Sequence, residues 1–147
     1  MSVHRTALGG GSSAGPAGGE ASHVETLRCE LPVGGAACGT ARGRLRGQFA
    51  DQLPCSTAAD AELVLTELVA NAVAASADVG IVMLTIRLIS SALLIEVFDE
   101  SEALPSPRCA DDLSENGRGL QLVEVLTQSW GWHPVANGKI VWGLFLL

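Results

Sequence analysis

The chain has few aromatic and few cationic residues. Aromatic side chains make up 4% of the 147 residues and tyrosine is absent, so the core must rest on Leu, Val, Ile and Ala. Lys and Arg number 9 against 16 Asp and Glu, which gives a formal net charge of -7. Nucleic-acid binding needs clustered Lys and Arg, so this balance argues against a direct nucleic-acid partner. A nucleotide ligand remains compatible with it, because one local set of donors can hold phosphate in an acidic protein.

Long apolar runs and metal-ligand motifs are also missing. The longest apolar region, residues 80–98, is interrupted by Arg87 and alternates like two strands, so we expect no transmembrane helix. The N-terminus breaks into Gly, Ser and Pro after Leu8, unlike a signal peptide. The 4 cysteines show no CxxC and no Cys/His spacing typical of zinc. We therefore expect free thiols and a cytoplasmic protein.

Length and a hydrophobic content of 48% predict one domain with a single core. Residues 1–22 are rich in Gly, Ser and Ala and are predicted to be a disordered tail, and residues 23–147 to be the folded domain. Periodicity predicts the order β-α-α-β-β-α-β-β, hence an α+β two-layer sandwich with a mixed sheet and helices on one face. The predicted elements are strands at 24–31, 82–89, 93–99, 130–134 and 139–147, helices at 34–52, 58–76 and about 118–129, and a tight turn at Asn137-Gly138.

The segment ELVLTELVANAV predicts a helix that carries a polar pair. Glu67 and Asn71 are four residues apart, so they share one side of this helix. Apolar neighbours surround them there, and an unpaired buried polar group costs roughly 1–3 kcal/mol, so the pair needs partners. It is either part of a ligand site or an exposed pair on a helix that crosses a sheet edge. The predicted core stripe of the helix is Leu65, Leu68, Val69, Ala72 and Val73.

Asp99 ends the predicted strand SALLIEVFD. Alternation places it on the apolar face, with Val97 and Ile95, just before a Pro-, Ser- and Asp-rich loop over residues 100–117. A carboxylate there can accept a hydrogen bond from a ligand amine, such as the amino group of adenine. The alternative is an Asp that caps the loop through backbone N–H groups.

Gly117-Arg118-Gly119-Leu120 opens the next predicted helix. Glycines allow close approach of backbone to a ligand, and the free N–H groups of a helix start attract phosphate. Gly117 could equally ease a loop-to-helix junction. The chain contains neither GxxxxGK(S/T) nor GxGxxG after a strand, so neither a P-loop nor a Rossmann site is predicted.

The order of these three signals resembles the GHKL (Bergerat-fold) ATPase superfamily, over residues 58–147. The segments ELVLTELVANAV, LLIEVFDES and GRGLQLVEVLTQSWGWHP are most similar to single-domain anti-sigma-factor serine/threonine kinases. The resemblance implies a Bergerat, histidine-kinase-like ATPase fold that binds ATP and Mg²⁺. It also implies transfer of the γ-phosphate to a serine or threonine of an antagonist protein, sequestration of a sigma factor, transcription regulation and homodimerisation.

The resemblance also implies a role for each site residue. Asn71 would ligate Mg²⁺, Glu67 would be the general base or water-orienting carboxylate, and Asp99 would read adenine. Gly117, Gly119 and the adjoining backbone, including Leu120, would line the phosphates, with the preceding loop as a lid. Arg118 would either contact phosphate or be solvated. Positioning and charge neutralisation of this kind are what phosphoryl transfer requires.

The sequence departs from the family pattern after Asp99. The family's glycines are replaced by Glu100-Ser101-Glu102-Ala103, which adds two carboxylates near the expected phosphates. This departure supports an alternative function, a degenerate and non-catalytic GHKL-like module that binds a partner protein with weak or no ATP binding. Enzymatic activity is therefore left open. We expect the 3 tryptophans to pack in the core or on the sheet, and Lys139, the single lysine, to face solvent.

Overall fold

The computed structural model describes residues 2–4, 23–76, 80–101 and 115–147, with side chains over 23–76, 80–101 and 119–147. Three α-helices and six strands follow one another along these residues. They are β1 (Ser2–His4), β2 (Val24–Leu31), α1 (Ala37–Phe49), a 3₁₀ turn (Ala50–Gln52), α2 (Cys55–Ala75), β3 (Val82–Ile89), β4 (Ala92–Asp99), α3 (Glu115–Leu126), β5 (Ser129–Val135) and β6 (Gly138–Leu146).

The strands form one sheet in the order β1-β5-β6-β4-β3-β2. The predicted α+β fold with helices packed against the sheet is confirmed, and α2 contacts the central strands β3, β4 and β6. Each described pairing is antiparallel, whereas we expected a mixed sheet. The reason is that β3–β4 and β5–β6 are joined by two-residue hairpin loops, which can only connect antiparallel neighbours.

Two hairpins set the register of the sheet. Ile89 pairs with Ala92 across a loop in which Ser90 has φ 45°. In the second hairpin, Val135 pairs with Gly138, so the loop residues are Ala136 and Asn137 and not the predicted Asn137-Gly138. Asn137 takes the left-handed conformation, φ 66°, which asparagine tolerates better than most residues.

Helix α2 begins earlier than predicted. We expected a start near residue 58, but the helix starts at Cys55 directly after Pro54, and no side chain caps it. Proline suits this place because its fixed φ is compatible with a helix start and its carbonyl accepts the first helical hydrogen bond, from the N–H of Ala58 at 2.9 Å. The Oγ of Ser76 donates to the Ala72 carbonyl at the other end, 2.7 Å away.

The core lies between the helices and the alternating residues of the central strands. Ile86 and Ile95 pair directly, and both are fully buried. Trp130 is buried at 1% exposure, Trp132 packs against the core and Trp142 is half-buried, so the prediction for the tryptophans holds. None of the described helices has the length and apolarity needed to span a bilayer.

Strand β1 pairs with β5 at one edge of the sheet, with Val3 opposite Gly131. It lies inside residues 1–22, for which we expected a disordered tail, and that expectation does not hold for Ser2–His4. Met1 and residues 5–22 are outside the described part of the chain. The domain boundary at residue 23 stays a prediction.

Candidate functional site

Glu67 and Asn71 lie at the border between the buried and the exposed sides of α2. Both are half-buried, one helical turn apart. The core side of α2 holds Ala61, Val64, Leu65, Leu68, Val69 and Ala72, which matches the predicted stripe except that Val64 belongs to the core and Val73 is only half-buried. The polar pair is therefore neither in the core nor on a fully exposed face, and its role in a ligand site stays a prediction.

Helix α3 approaches Glu67 through a glycine. A Cβ built on Gly119 would lie 3.2 Å from Cδ of Glu67 and closer still to its Oε2. Any larger residue at position 119 would displace the carboxylate or separate the helices. The structure thus brings together two of the residues that the sequence singled out, from two helices that are distant in the chain.

Leu120 has a structural role beside Gly119. Its side chain is 3% exposed and belongs to the core together with Val123, so it fixes α3 against the rest of the domain. The predicted role of Leu120 in nucleotide binding involves its backbone, which would line the phosphates, and this role stays a prediction.

The helix that carries these residues starts at Glu115, earlier than the predicted start near Arg118. Gly117 and Arg118 accordingly lie in its first turn, where backbone N–H groups lack intrahelical acceptors. Their side chains, and residues 102–114 of the predicted lid loop with Glu102 and Ala103, lie outside the described part. The roles proposed for Gly117 and Arg118 stay predictions.

Asp99 is buried at the end of β4, at 1% exposure. Its Oδ1 accepts two hydrogen bonds, from the N–H of Ser101 at 2.9 Å and from Nζ of Lys139 at 2.9 Å. The bond to Ser101 is the loop-capping arrangement that the sequence left open as an alternative. Asp99 and Lys139 are also directly opposite each other in the register of the neighbouring strands β4 and β6.

The expectation that Lys139 faces solvent is wrong. Lys139 is 5% exposed, and its Nζ also lies 3.5 Å from the carbonyl oxygen of Ser101. Alternation along β6 could have indicated this, since Val141 and Phe145, on the same face as Lys139, are core residues. The sequence alone predicts a surface position for this lysine because charged side chains are rarely buried without a partner.

Helix α1 lies beside the same part of α2. Sγ of Cys38 donates to the Thr66 carbonyl at 3.7 Å, and NH1 of Arg42 donates to Oγ1 of Thr66 at 3.2 Å. Burial raises the pKa of the Cys38 thiol, Arg42 lowers it and Glu67 raises it by smaller amounts. The thiol is therefore protonated at neutral pH. Sequence reasoning missed this pair, although Cys38 and Arg42 have helical i, i+4 spacing.

Comparison with known proteins gives a likeness of fold. No protein-family model matches the chain, and no curated protein matches it significantly. Among solved structures, it is similar to the crystal structure of the RsbU and RsbW domains of Rv1364c from Mycobacterium tuberculosis, with a TM-score of 0.65 and 22% identity. The match covers 84% of this chain and 32% of that one, so the chain spans about a third of the length of that protein. At this identity the likeness is one of fold, and it agrees with the predicted two-layer α+β fold of the Bergerat type.

Proposed function

We propose that this chain is an ATP-binding regulatory protein of the anti-sigma-factor kinase type. It transfers the γ-phosphate of ATP to a serine or threonine of an antagonist protein and sequesters a sigma factor; homodimerisation belongs to the same proposal. The contact between Gly119 and Glu67 carries it, because this contact brings the glycine-bearing helix against the helix of the candidate base. The fold shared with a structure that contains an RsbW domain supports it.

The residues present fit a magnesium nucleotide. Bound Mg²⁺-ATP would supply the phosphoryl group and part of the charge neutralisation. Asn71 offers a carboxamide oxygen, a ligand type that Mg²⁺ accepts, one turn from Glu67. In the described residues no three His, Cys, Asp or Glu side chains could hold a metal by themselves, so the phosphates would have to complete its coordination. Glu67 would orient the attacking hydroxyl and accept its proton.

The test of nucleotide binding is thermal unfolding with ATP, with and without Mg²⁺. At a hundredfold excess of ATP over Kd, linkage predicts about 2.7 kcal/mol of stabilisation. Asn71→Ala should lose the Mg²⁺-dependent part of this stabilisation. Gln48→Ala is the matched control, since it removes a carboxamide on α1 that is bonded to Glu25 and should leave the response to ATP unchanged. If wild-type protein gains no stability from ATP in Mg²⁺, the proposal is wrong.

A second candidate is a non-catalytic module that binds a partner protein with little or no ATP. The observation that favours it is the buried pair of Asp99 with Lys139, because the acid expected to read adenine already has a cation beside it. The absence of glycines at Glu100 and Ser101 favours it as well. For this candidate we expect no ATP-induced stabilisation, together with retention of the same partner from a lysate whether or not ATP is added.

A further inference from the structure

Lys139 and Asp99 form the most deeply buried ion pair among the described residues. The side chains are 7% and 2% exposed, and Nζ lies 2.9 Å from Oδ1. The two exposed or half-exposed pairs, Arg46–Glu62 and Arg87–Glu96, leave at least one partner much more accessible. A charge as buried as that of Lys139 is retained only where a partner compensates it.

The backbone holds Lys139 in this position. Residue 139 is in register with Asp99, directly after the hairpin loop that contains Asn137. A Cβ on Gly138 would lie 3.0 Å from the carbonyl carbon of Asp99 and 2.8 Å from Cε2 of Phe98, so glycine lets β6 approach β4 closely at this point. The register of β4 and β6 therefore places the ammonium of Lys139 next to the carboxylate of Asp99.

The pair has a consequence for any ligand that Asp99 reads. The amino group of adenine and the ammonium of Lys139 are both N–H donors, and both would bond to the carboxylate of Asp99, which has two acceptor oxygens. Oδ1 of Asp99 already accepts from Lys139 and from Ser101. A ligand amine would therefore bond to Oδ2, and it would meet a carboxylate whose negative charge the adjacent ammonium already partly neutralises. Such a carboxylate is a weaker acceptor than one without a cation beside it.

We propose that Lys139 is a specificity-determining residue of the nucleotide site. It is an internal cation that partly neutralises Asp99, the carboxylate predicted to bind the amino group of adenine. The inference rests on the proposed function and deepens it. The lysine lowers the affinity of the site for ATP. It also lowers the preference of the site for ATP over a purine nucleotide that lacks the 6-amino group.

The experiment measures Kd for ATP and for purine riboside triphosphate, which lacks that amino group, in Mg²⁺ by isothermal titration. In Lys139→Met we expect ATP to bind about tenfold more tightly than in wild type, the size of one hydrogen bond to a charged group, and the analogue to bind unchanged. The control is Arg87→Met, which removes the cation of the Arg87–Glu96 pair on the opposite face of the sheet and should alter neither Kd.

Loss of the ammonium leaves a buried carboxylate without its cation, which destabilises the fold. Lys139→Gln is therefore the second variant, since it removes the charge and keeps an N–H donor of similar reach. We expect it to shift the ATP affinity in the same direction by a smaller factor. Circular dichroism establishes that each variant is folded before titration.

The outcomes separate this inference from the function on which it rests. If wild type binds ATP and the folded Lys139 variants bind it no more tightly, or gain equally for the analogue, the inference is wrong and the proposed function stands. If only the Lys139 variants bind ATP, the inference about Lys139 is supported and the function proposed for the wild-type chain is wrong. If neither wild type nor any folded variant binds ATP, the proposed function fails and the inference fails with it.

Discussion

Two glutamates on the same helix have different surroundings. Glu62 receives two hydrogen bonds of 2.6 Å from the guanidinium of Arg46, which lowers the pKa of its carboxyl. Glu67 lies one turn further along, against Gly119. A carboxylate held by an arginine is a poor proton acceptor, because the ion pair stabilises the charged form. Glu62 is therefore disfavoured as a proton acceptor, and the base predicted from the sequence remains Glu67.

This difference predicts the effect of removing each charge. Glu67→Gln should keep ATP binding and lower transfer of the γ-phosphate by about 10²–10⁴-fold, the usual contribution of a general base. Glu62→Gln, on the same helix, should leave transfer unchanged. The measurement is incorporation of labelled γ-phosphate into protein serine and threonine of a lysate. Equal transfer by wild type and Glu67→Gln would exclude Glu67 as the base.

At the scale of elements, α1 is a helix of weak local preference that tertiary contacts hold in place. Gly43 and Gly47 lie inside it and are exposed, and each costs up to about 1 kcal/mol relative to alanine. Its buried residues, including Ala41, Leu45 and Phe49, pack into the core, and Arg42 bonds to α2. Burial of this face outweighs the cost of the glycines.

We therefore expect Gly43→Ala and Gly47→Ala each to raise the free energy of unfolding by up to about 1 kcal/mol, since a Cβ there meets nothing within 4 Å. Urea unfolding monitored by tryptophan fluorescence measures the change. Gly138→Ala is the contrasting control and should destabilise, because its Cβ would run into the backbone of Asp99. A loss of stability in both α1 variants would show that these positions have contacts other than those described.

At the scale of the whole molecule, the sheet depends little on its first strand. β1 is 3 residues long and pairs only with β5, whereas β2 to β6 enclose the core with the helices. A chain that begins at His23 should therefore fold to the same domain. We expect its melting temperature to fall by no more than a few degrees, and its ATP response to match that of the full chain. Loss of cooperative unfolding in this shorter chain would place β1 within the folding unit.

Periodicity was sufficient for most of the elements. The strand at Val24–Leu31 and the strand at Val82–Ile89 begin and end where the pattern predicts, because alternation of buried and exposed residues is a local property of the sequence. Helix ends were less accurate, as at Cys55 and Glu115. The choice of first residue depends on capping and packing that a periodic pattern does not contain.

The sequence by itself determined the strands, the helices, the core stripe of α2 and the three motifs of the candidate site. Only the tertiary structure decided which of these motifs meet. Lys139 reaches Asp99 although 40 residues separate them, and Gly119 lies against Glu67 from another helix. Such contacts arise from strand register and helix packing, which depend on the whole chain closing around one core, and hydrophobic periodicity within a single segment carries no information about them.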